Sequence, residues 1–253
     1  MKTMSFNVLT GRNDENDWPY RKTFVSDIIK KYEPDTIGLQ EAHIGWMKYL
    51  ESALDGYCCA GVGRDDGKIG GEFTPVFYNS KNVELLKQDT FWLSETPEKP
   101  SKGWDAPKWN RICTYAVLKD KKTNKKFVHM NTHLDNDGIE ARKKGAELIV
   151  KKSDELFPDL PIILTGDFND NPESEAYKTI ISGRFEDARI SSGSSDNTKT
   201  YHGFDLISED EKQLIDFIFV KNSAKAVSYK CITDEIEGRR PSDHYPVISE
   251  III

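Results

Sequence analysis

The chain has 253 residues, 37% of them hydrophobic, enough for one substantial core. Its 42 acidic residues outnumber 35 basic ones for a formal charge of −7, which argues against the basic face that polyanion binders usually carry. No apolar stretch approaches the length of a membrane-crossing helix, and the four cysteines (Cys58, Cys59, Cys113, Cys231) show no spacing that would hold zinc.

Met4–Leu9 reads as a strand that carries a polar Asn7, so the N-terminus is not a signal peptide and a cytoplasmic location is the expectation. Arg21–Tyr32 has Phe24, Val25, Ile28, Ile29 and Tyr32 at helical spacing, and Pro34 stops it. Thr36–Glu41 is a second strand ending in a carboxylate, and Ile44–Leu54 a second helix. This strand–helix alternation is how α/β folds begin. Five strands then follow, at Tyr57–Gly61, Glu72–Tyr78, Val83–Leu93, Arg111–Leu118 and Lys126–His133. The lysine-rich Lys119–Lys126 run between the last two reads as a solvated hairpin turn. The irregular Ser94–Asn110 segment carries Trp104 and Trp109, which either serve a binding site or cover a sheet edge.

Asp137 with Glu140 has capping-box spacing and starts a helix whose buried stripe is Ile139, Ala146, Ile149, Val150, Leu156 and Phe157. Pro161–Leu164 is a short buried strand leading into Gly166-Asp167-Phe168-Asn169. Asp167 and Asn169 sit two apart, so an extended segment points both the same way. Carboxyl ends of strands are where open α/β sheets bind ligands. A short helix over Glu173–Ile181 and a polar loop to Asp210 come next. Leu214–Val220 and Ala224–Thr233 are strands, then Ser242–Pro246 leads to the last strand, Val247–Ile252. No linker or repeat divides the chain, so residues 1–253 read as a single domain.

Asp216 lies in the nearly all-apolar Leu214–Val220 run, where a carboxylate needs a partner. That partner is either backbone amides or a histidine, whose tautomer it would fix.

Asn7, Gln40-Glu41, Asn131-Thr132-His133-Leu134-Asp135, Gly166-Asp167-Phe168-Asn169, Ile215-Asp216 and Ser242-Asp243-His244-Tyr245-Pro246 stand in the order expected of the endonuclease/exonuclease/phosphatase superfamily, which the chain resembles over residues 4–249. The resemblance implies an α/β fold: a four-layer sandwich of two packed mixed β-sheets flanked by helices, as in deoxyribonuclease I. It also implies hydrolysis of a phosphoester with Mg²⁺ (Mn²⁺ as the alternative). Carried over by position, Glu41 is the principal metal ligand with Asn7 and Asp243 near the ion. Asp167 and Asn169 handle water and phosphate, and His244 pairs with Asp216. His133 is a second histidine near the phosphate, with Glu72 as the carboxylate supporting it. Arg111 is a phosphate contact or an exposed strand arginine. Tyr201 and His202 sit on a loop expected to reach the site. The expected substrate is a small phosphorylated molecule or a nucleic-acid end, with no stable nucleic-acid complex and a monomeric protein. A nuclease and a non-catalytic scaffold on the same fold are the alternatives, and the intact set of motif residues argues against the scaffold.

Overall fold

The computed structural model describes residues 1–12 and 14–253. In chain order the elements are β1 (Lys2–Asn7), α1 (Trp18–Tyr32), β2 (Thr36–Gln40), α2 (Ile44–Ala53), β3 (Tyr57–Ala60), β4 (Val76–Asn79), β5 (Val83–Trp92), β6 (Ile112–Asp120), β7 (Lys126–His133), α3 (Ile139–Leu156), β8 (Ile162–Asp167), α4 (Glu175–Ser182), β9 (Glu186–Asp187), α5 (Ala188–Ser191), β10 (Asp216–Lys221), β11 (Lys225–Cys231) and β12 (Val247–Ile252). Among the described residues the strands form two six-stranded mixed sheets, ordered β11-β12-β1-β2-β4-β3 and β5-β6-β7-β8-β10-β9.

Three apolar layers hold this together. Phe6, Val25, Ile29, Leu39, Trp46 and Leu50 pack α1 and α2 on the outer face of the first sheet. Val128, Ile149, Leu164, Tyr177, Ile180 and Phe217 pack α3 and α4 on the outer face of the second. Val76, Ala116, Phe127, Ile163, Ile218 and Val247 fill the space between the sheets. The result is the expected α/β/β/α sandwich. Toward one end the inter-sheet layer turns polar. Asn131 donates to Leu39 O and Pro75 O and accepts from Gln40 Nε2 at 2.7 Å, so it is a strut between sheets. The sheets come close there because residue 38 is glycine; a Cβ would collide with Thr165 Oγ1 and Asn131 Oδ1.

Each sheet has one parallel pair at its centre, β1/β2 and β7/β8, and these strands end at the same level. Asn7 is in register with Gln40, His133 with Asp167, and Asp167 with Asp216. Register within each sheet, together with the packing of the two sheets, therefore gathers polar residues from both halves of the chain at one end of the sandwich.

Three local expectations are corrected. The strand expected over Glu72–Tyr78 is regular only from Val76, because Pro75 has no N–H for a ladder. The helix expected at Asp137 begins at Ile139 with Gly138 as an N-cap lacking a side-chain bond. Its first amides are held from a distant loop instead, with Asp105 accepting from Glu140 N at 3.2 Å and Ala141 N at 2.6 Å. Two members of its expected buried stripe, Ile139 and Leu156, are 70% and 42% exposed, since α3 turns Ala141, Gly145 and Ser153 inward in their place.

Candidate active site

The cleft is built from strand ends. Asn7, fully buried, donates from Nδ2 to Glu41 Oε1 at 3.0 Å and to Asp167 Oδ2 at 2.9 Å, while its Oδ1 accepts from Leu9 N. One amide thus fixes two carboxylates that come from different sheets. Glu41 follows β2 with a left-handed backbone (φ 59°), and its second oxygen accepts from Thr10 N at 2.9 Å. Asn169 is also left-handed (φ 48°). Such non-glycine backbones tend to cluster at functional sites.

Asp167 Oδ1 accepts from Asn169 N at 2.8 Å. Its Oδ2 lies 3.5 Å from His133 Nε2 and 3.8 Å from His244 Nε2. Asn169 Nδ2 donates to Leu134 O, which fixes the amide's orientation, and to His133 Nε2 at 2.9 Å. His133 Nε2 is therefore an acceptor, and its proton sits on Nδ1, which has no partner among the described residues. His244 Nδ1 donates to Asp216 Oδ2 at 2.8 Å, so of the two partners open to Asp216 the structure supplies the histidine. Thr200 Oγ1 accepts from Ile215 N and Asp216 N, and the backbone amides of His202 and Gly203 donate to Asp243 O, holding this wall.

The charges follow from these neighbours. Burial opposes a proton on His244, but the Asp216 and Asp167 carboxylates outweigh it and hold the ring's pKa well above its usual value. Burial drives His133 the other way, helped by the Arg111 and Arg64 guanidiniums, so this ring stays neutral. Asp167 is pushed up to about 6 by burial and by Asp216. Glu41 is raised by desolvation and by the Asp243 carboxylate.

Among the described residues no lysine or arginine forms an ion pair with Glu41 or Asp243. The Arg21 guanidinium and the His244 ring act on them without closing an ion pair, and two neighbouring buried acids are costly unless a cation joins them. Single ligand atoms of Glu41, His133 and Asp167 lie within 4.8 Å of one another. The donor set at Glu41 and Asp243 is all oxygen, the kind a hard divalent cation such as Mg²⁺ or Mn²⁺ takes.

Of the residues singled out from sequence, Glu41, Glu72, Trp109, Arg111, His133, Asp167, Asn169, Tyr201, Asp243 and His244 line one cleft of about 540 Å³, with Asn7 and Asp216 directly behind them. Three expectations need correction. Trp104 lies outside the cleft and packs on the apolar core beneath α3. His202 is buried against Tyr245 with ring centroids 4.1 Å apart and does not line the cleft, whereas Tyr201 does, its ring 5.0 Å from that of His244. Glu72 does not bond His133; it accepts from Arg64 Nη1 at 2.5 Å. Arg111 is no exposed strand arginine: it is buried, pairs with Asp135 at 3.3 Å and Asn136 at 2.8 Å, and faces the cleft.

Sequence reasoning missed Arg64 and Arg21. Arg64 sits in Gly61-Val62-Gly63-Arg64, and a lone basic residue in a glycine-rich turn was the available signal. Arg21 is fully buried on α1. It donates from Nη1 to Val8 O and Pro241 O and from Nη2 to Leu9 O, tying the loop after β1 to the loop that carries Asp243. Burial pulls its pKa down to about 10. Its place in the helical pattern gave no hint of this.

A solved endonuclease/exonuclease/phosphatase from Bacteroides vulgatus is 36% identical, covers 100% of this chain and 98% of its own, and superposes with a TM-score of 0.93. The mannosyl-6-phosphatase Bt3783 of Bacteroides thetaiotaomicron is 34% identical over 100% of both chains, also at 0.93. An uncharacterised mimivirus protein, L388, is 28% identical over 79% of this chain and 78% of its own. The chain spans only 26% to 56% of the length of the other curated relatives it matches, nocturnins among them. The family model described as the Endonuclease/Exonuclease/phosphatase family matches residues 4–244, nearly the whole chain, and with the fold and strand-end cluster above, this chain belongs to that family.

Proposed function

We propose that the chain is a Mg²⁺-dependent phosphatase that hydrolyses a monoester of a small phosphorylated molecule, a sugar phosphate foremost, by in-line attack of water. The observation that carries this reading is the His244–Asp216 pair with His244 Nε2 3.8 Å from Asp167, beside two neighbouring acids, Glu41 and Asp243. A protonated imidazole there offers an Nε2–H to a non-bridging phosphate oxygen and stabilises the charge that builds in the transition state. Asp216 holds the ring's orientation and its charge. A charged His244 has no lone pair to take a proton, and the Nε2 lone pair of His133 is already used by Asn169. Asp167 is then the favoured group to orient the attacking water and accept its proton.

The residues that would hold the metal are Glu41 and Asp243, with Asn7 fixing Glu41 from behind. A bound Mg²⁺ would polarise the phosphate and neutralise developing charge. Asn169, locked by Leu134 O, keeps its Oδ1 for the water or phosphate.

Three observations support a small substrate. The full-length relative named a mannosyl-6-phosphatase is 34% identical, the net charge is −7, and the cleft is lined by single arginines already committed to Glu72, Asp135 and Asn136. A polyanion needs several uncommitted basic contacts along its backbone.

The test is kcat/KM at fixed Mg²⁺ for sugar phosphates, other phosphomonoesters, phosphodiesters, single-stranded RNA and plasmid DNA, repeated across salt. The expected result is fastest release of inorganic phosphate from small monoesters with a weak salt dependence. Efficient plasmid nicking or RNA degradation with a steep salt slope, and no turnover of small esters, would replace this reading with a nuclease.

A further inference from the structure

We propose that Trp109, Arg64 and Glu72 form a platform that recognises a hydroxylated ring on the leaving-group part of the substrate. The proposal rests on the phosphatase reading for the reaction but makes its own claim about what is bound. It starts from a departure: the carboxylate at position 72, which the family resemblance would set behind the second histidine, is engaged by Arg64 Nη1, and among the described residues His133 Nδ1 has no partner. Glu72 is thereby withdrawn from the histidine and turned into half of a carboxylate–guanidinium pair on the cleft wall.

That pair is held rigidly. Arg64 is buried, and its carbonyl accepts from Trp92 Nε1 at 2.7 Å and Asn110 Nδ2 at 3.1 Å. Its guanidinium carbon lies 5.1 Å from the centroid of the Trp109 ring, supporting one face of the indole. Trp109 nevertheless remains 47% exposed and lines the cleft. A tryptophan that only covered a sheet edge would bury most of its ring, as Trp92 does at 6% exposure.

The chemistry of these groups selects the ligand. The C–H face of a saturated ring packs on an indole. Vicinal hydroxyls donate and accept together, which matches a carboxylate acceptor beside guanidinium donors. An alkyl chain would bring apolar surface against both charges, with nothing to replace their hydration. A nucleobase would also stack on the indole, so it is an outcome the test must separate.

The experiment compares kcat/KM for mannose 6-phosphate with that for ethyl phosphate, which lacks hydroxyls, in the wild-type protein, Trp109→Ala, Trp109→Phe and Glu72→Gln. Loss of one stacking contact is expected to lower the mannose-to-ethyl ratio by about tenfold in Trp109→Ala, through KM, with Trp109→Phe recovering most of it. Glu72→Gln should lower the same ratio. A ratio unchanged in Trp109→Ala overturns the proposal. So does a preference for nucleoside monophosphates that disappears in Trp109→Ala, since the platform would then read a base. If the wild-type protein releases phosphate from no monoester, it is the phosphatase reading that has failed. The platform is then decided by titrating mannose 6-phosphate into wild type and Trp109→Ala by calorimetry: affinity about tenfold weaker in the variant sustains it, and equal affinity overturns it.

Discussion

His133 and His244 lie 3.5 Å and 3.8 Å from the same oxygen of Asp167, and both are buried, yet their charges differ. Burial alone would strip the proton from both. His244 keeps it because its Nδ1 meets Asp216 at 2.8 Å and the Asp167 carboxylate is close. His133 loses it because burial is reinforced, not opposed, by the nearby Arg111 and Arg64 guanidiniums; Asn169 donates to its Nε2. The comparison teaches that burial makes a neutral ring the default in this cleft, and that opposite charge beside the ring, as at His244, reverses it. One half of the cleft, with Glu41, Asp167, Asp216 and Asp243, is built around negative charge. The other, with Arg64 and Arg111, is built around positive charge partly spent on Glu72 and Asp135.

The largest expected effect comes from removing the divalent cation proposed for the acidic half. Chelator treatment should abolish phosphate release, and adding Mg²⁺ or Mn²⁺ back should restore it. Full turnover in chelator-treated protein would refute the metal assignment. Glu41→Ala should regain more activity in excess Mg²⁺ than Asp167→Asn does, because the first weakens metal binding and the second the water step.

Next comes the charged histidine. His244→Ala should lower kcat on the order of a hundredfold or more, the scale of losing a preorganised transition-state donor. His133→Ala should cost only about fivefold, the scale of one neutral hydrogen bond. Equal losses in two folded variants would erase the distinction drawn between the rings. Asp216→Asn combined with His244→Ala should cost little more than His244→Ala alone, since the two residues act as a unit. Multiplicative losses would mean that Asp216 works elsewhere.

How far all this was legible in the sequence depends on whether the signal was local. Asp167, Asn169, Glu41 and His244 sit at strand ends or in short ordered motifs; register aligns the strand ends within each sheet, and packing of one sheet on the other brings the two sets together. The same holds for Asp216, whose apolar flanks announce a buried carboxylate in need of a partner. Arg64, by contrast, reaches the site through loop geometry fixed by Trp92 and Asn110, more than 25 positions away, and no periodicity encodes that. The capping of α3 failed as an expectation for a related reason. The competent local residue, Asp137, lost to Asp105 on a distant loop, which reaches the helix's first amides only once the tertiary fold exists. Trp104 and His202 were indistinguishable in sequence from Trp109 and Tyr201, since an aromatic on a loop packs inward or faces the cleft according to contacts made far along the chain.

The smallest expected effect is thermodynamic, and it separates the two histidines by sign. In chelator-treated protein the folded state holds the His244 proton well above 6.5, near which the unfolded chain releases it. Its stabilisation is complete below 6.5 and is lost as pH rises through the folded value. His133 behaves in reverse: the folded state refuses its proton, so its contribution is present above 6.5 and is lost as pH falls toward the depressed folded value. Asp167, raised from 3.8 to about 6, keeps a proton that the unfolded chain has shed, so it removes stability as pH rises through that window. Each group can add a slope of at most about 1.4 kcal/mol per pH unit within its own window. Below 6.5 the slopes of His133 and Asp167 oppose each other, so the wild-type profile alone is nearly uninformative there and single substitutions are needed. Urea unfolding from about pH 5 to about pH 9 should show His133→Gln unmasking the Asp167 slope, with stability falling as pH rises toward 6, and His244→Gln losing the alkaline-side decline. If His133→Gln instead flattened the alkaline limb, the two rings would carry the opposite charges, and His133 would become the group that stabilises the transition state.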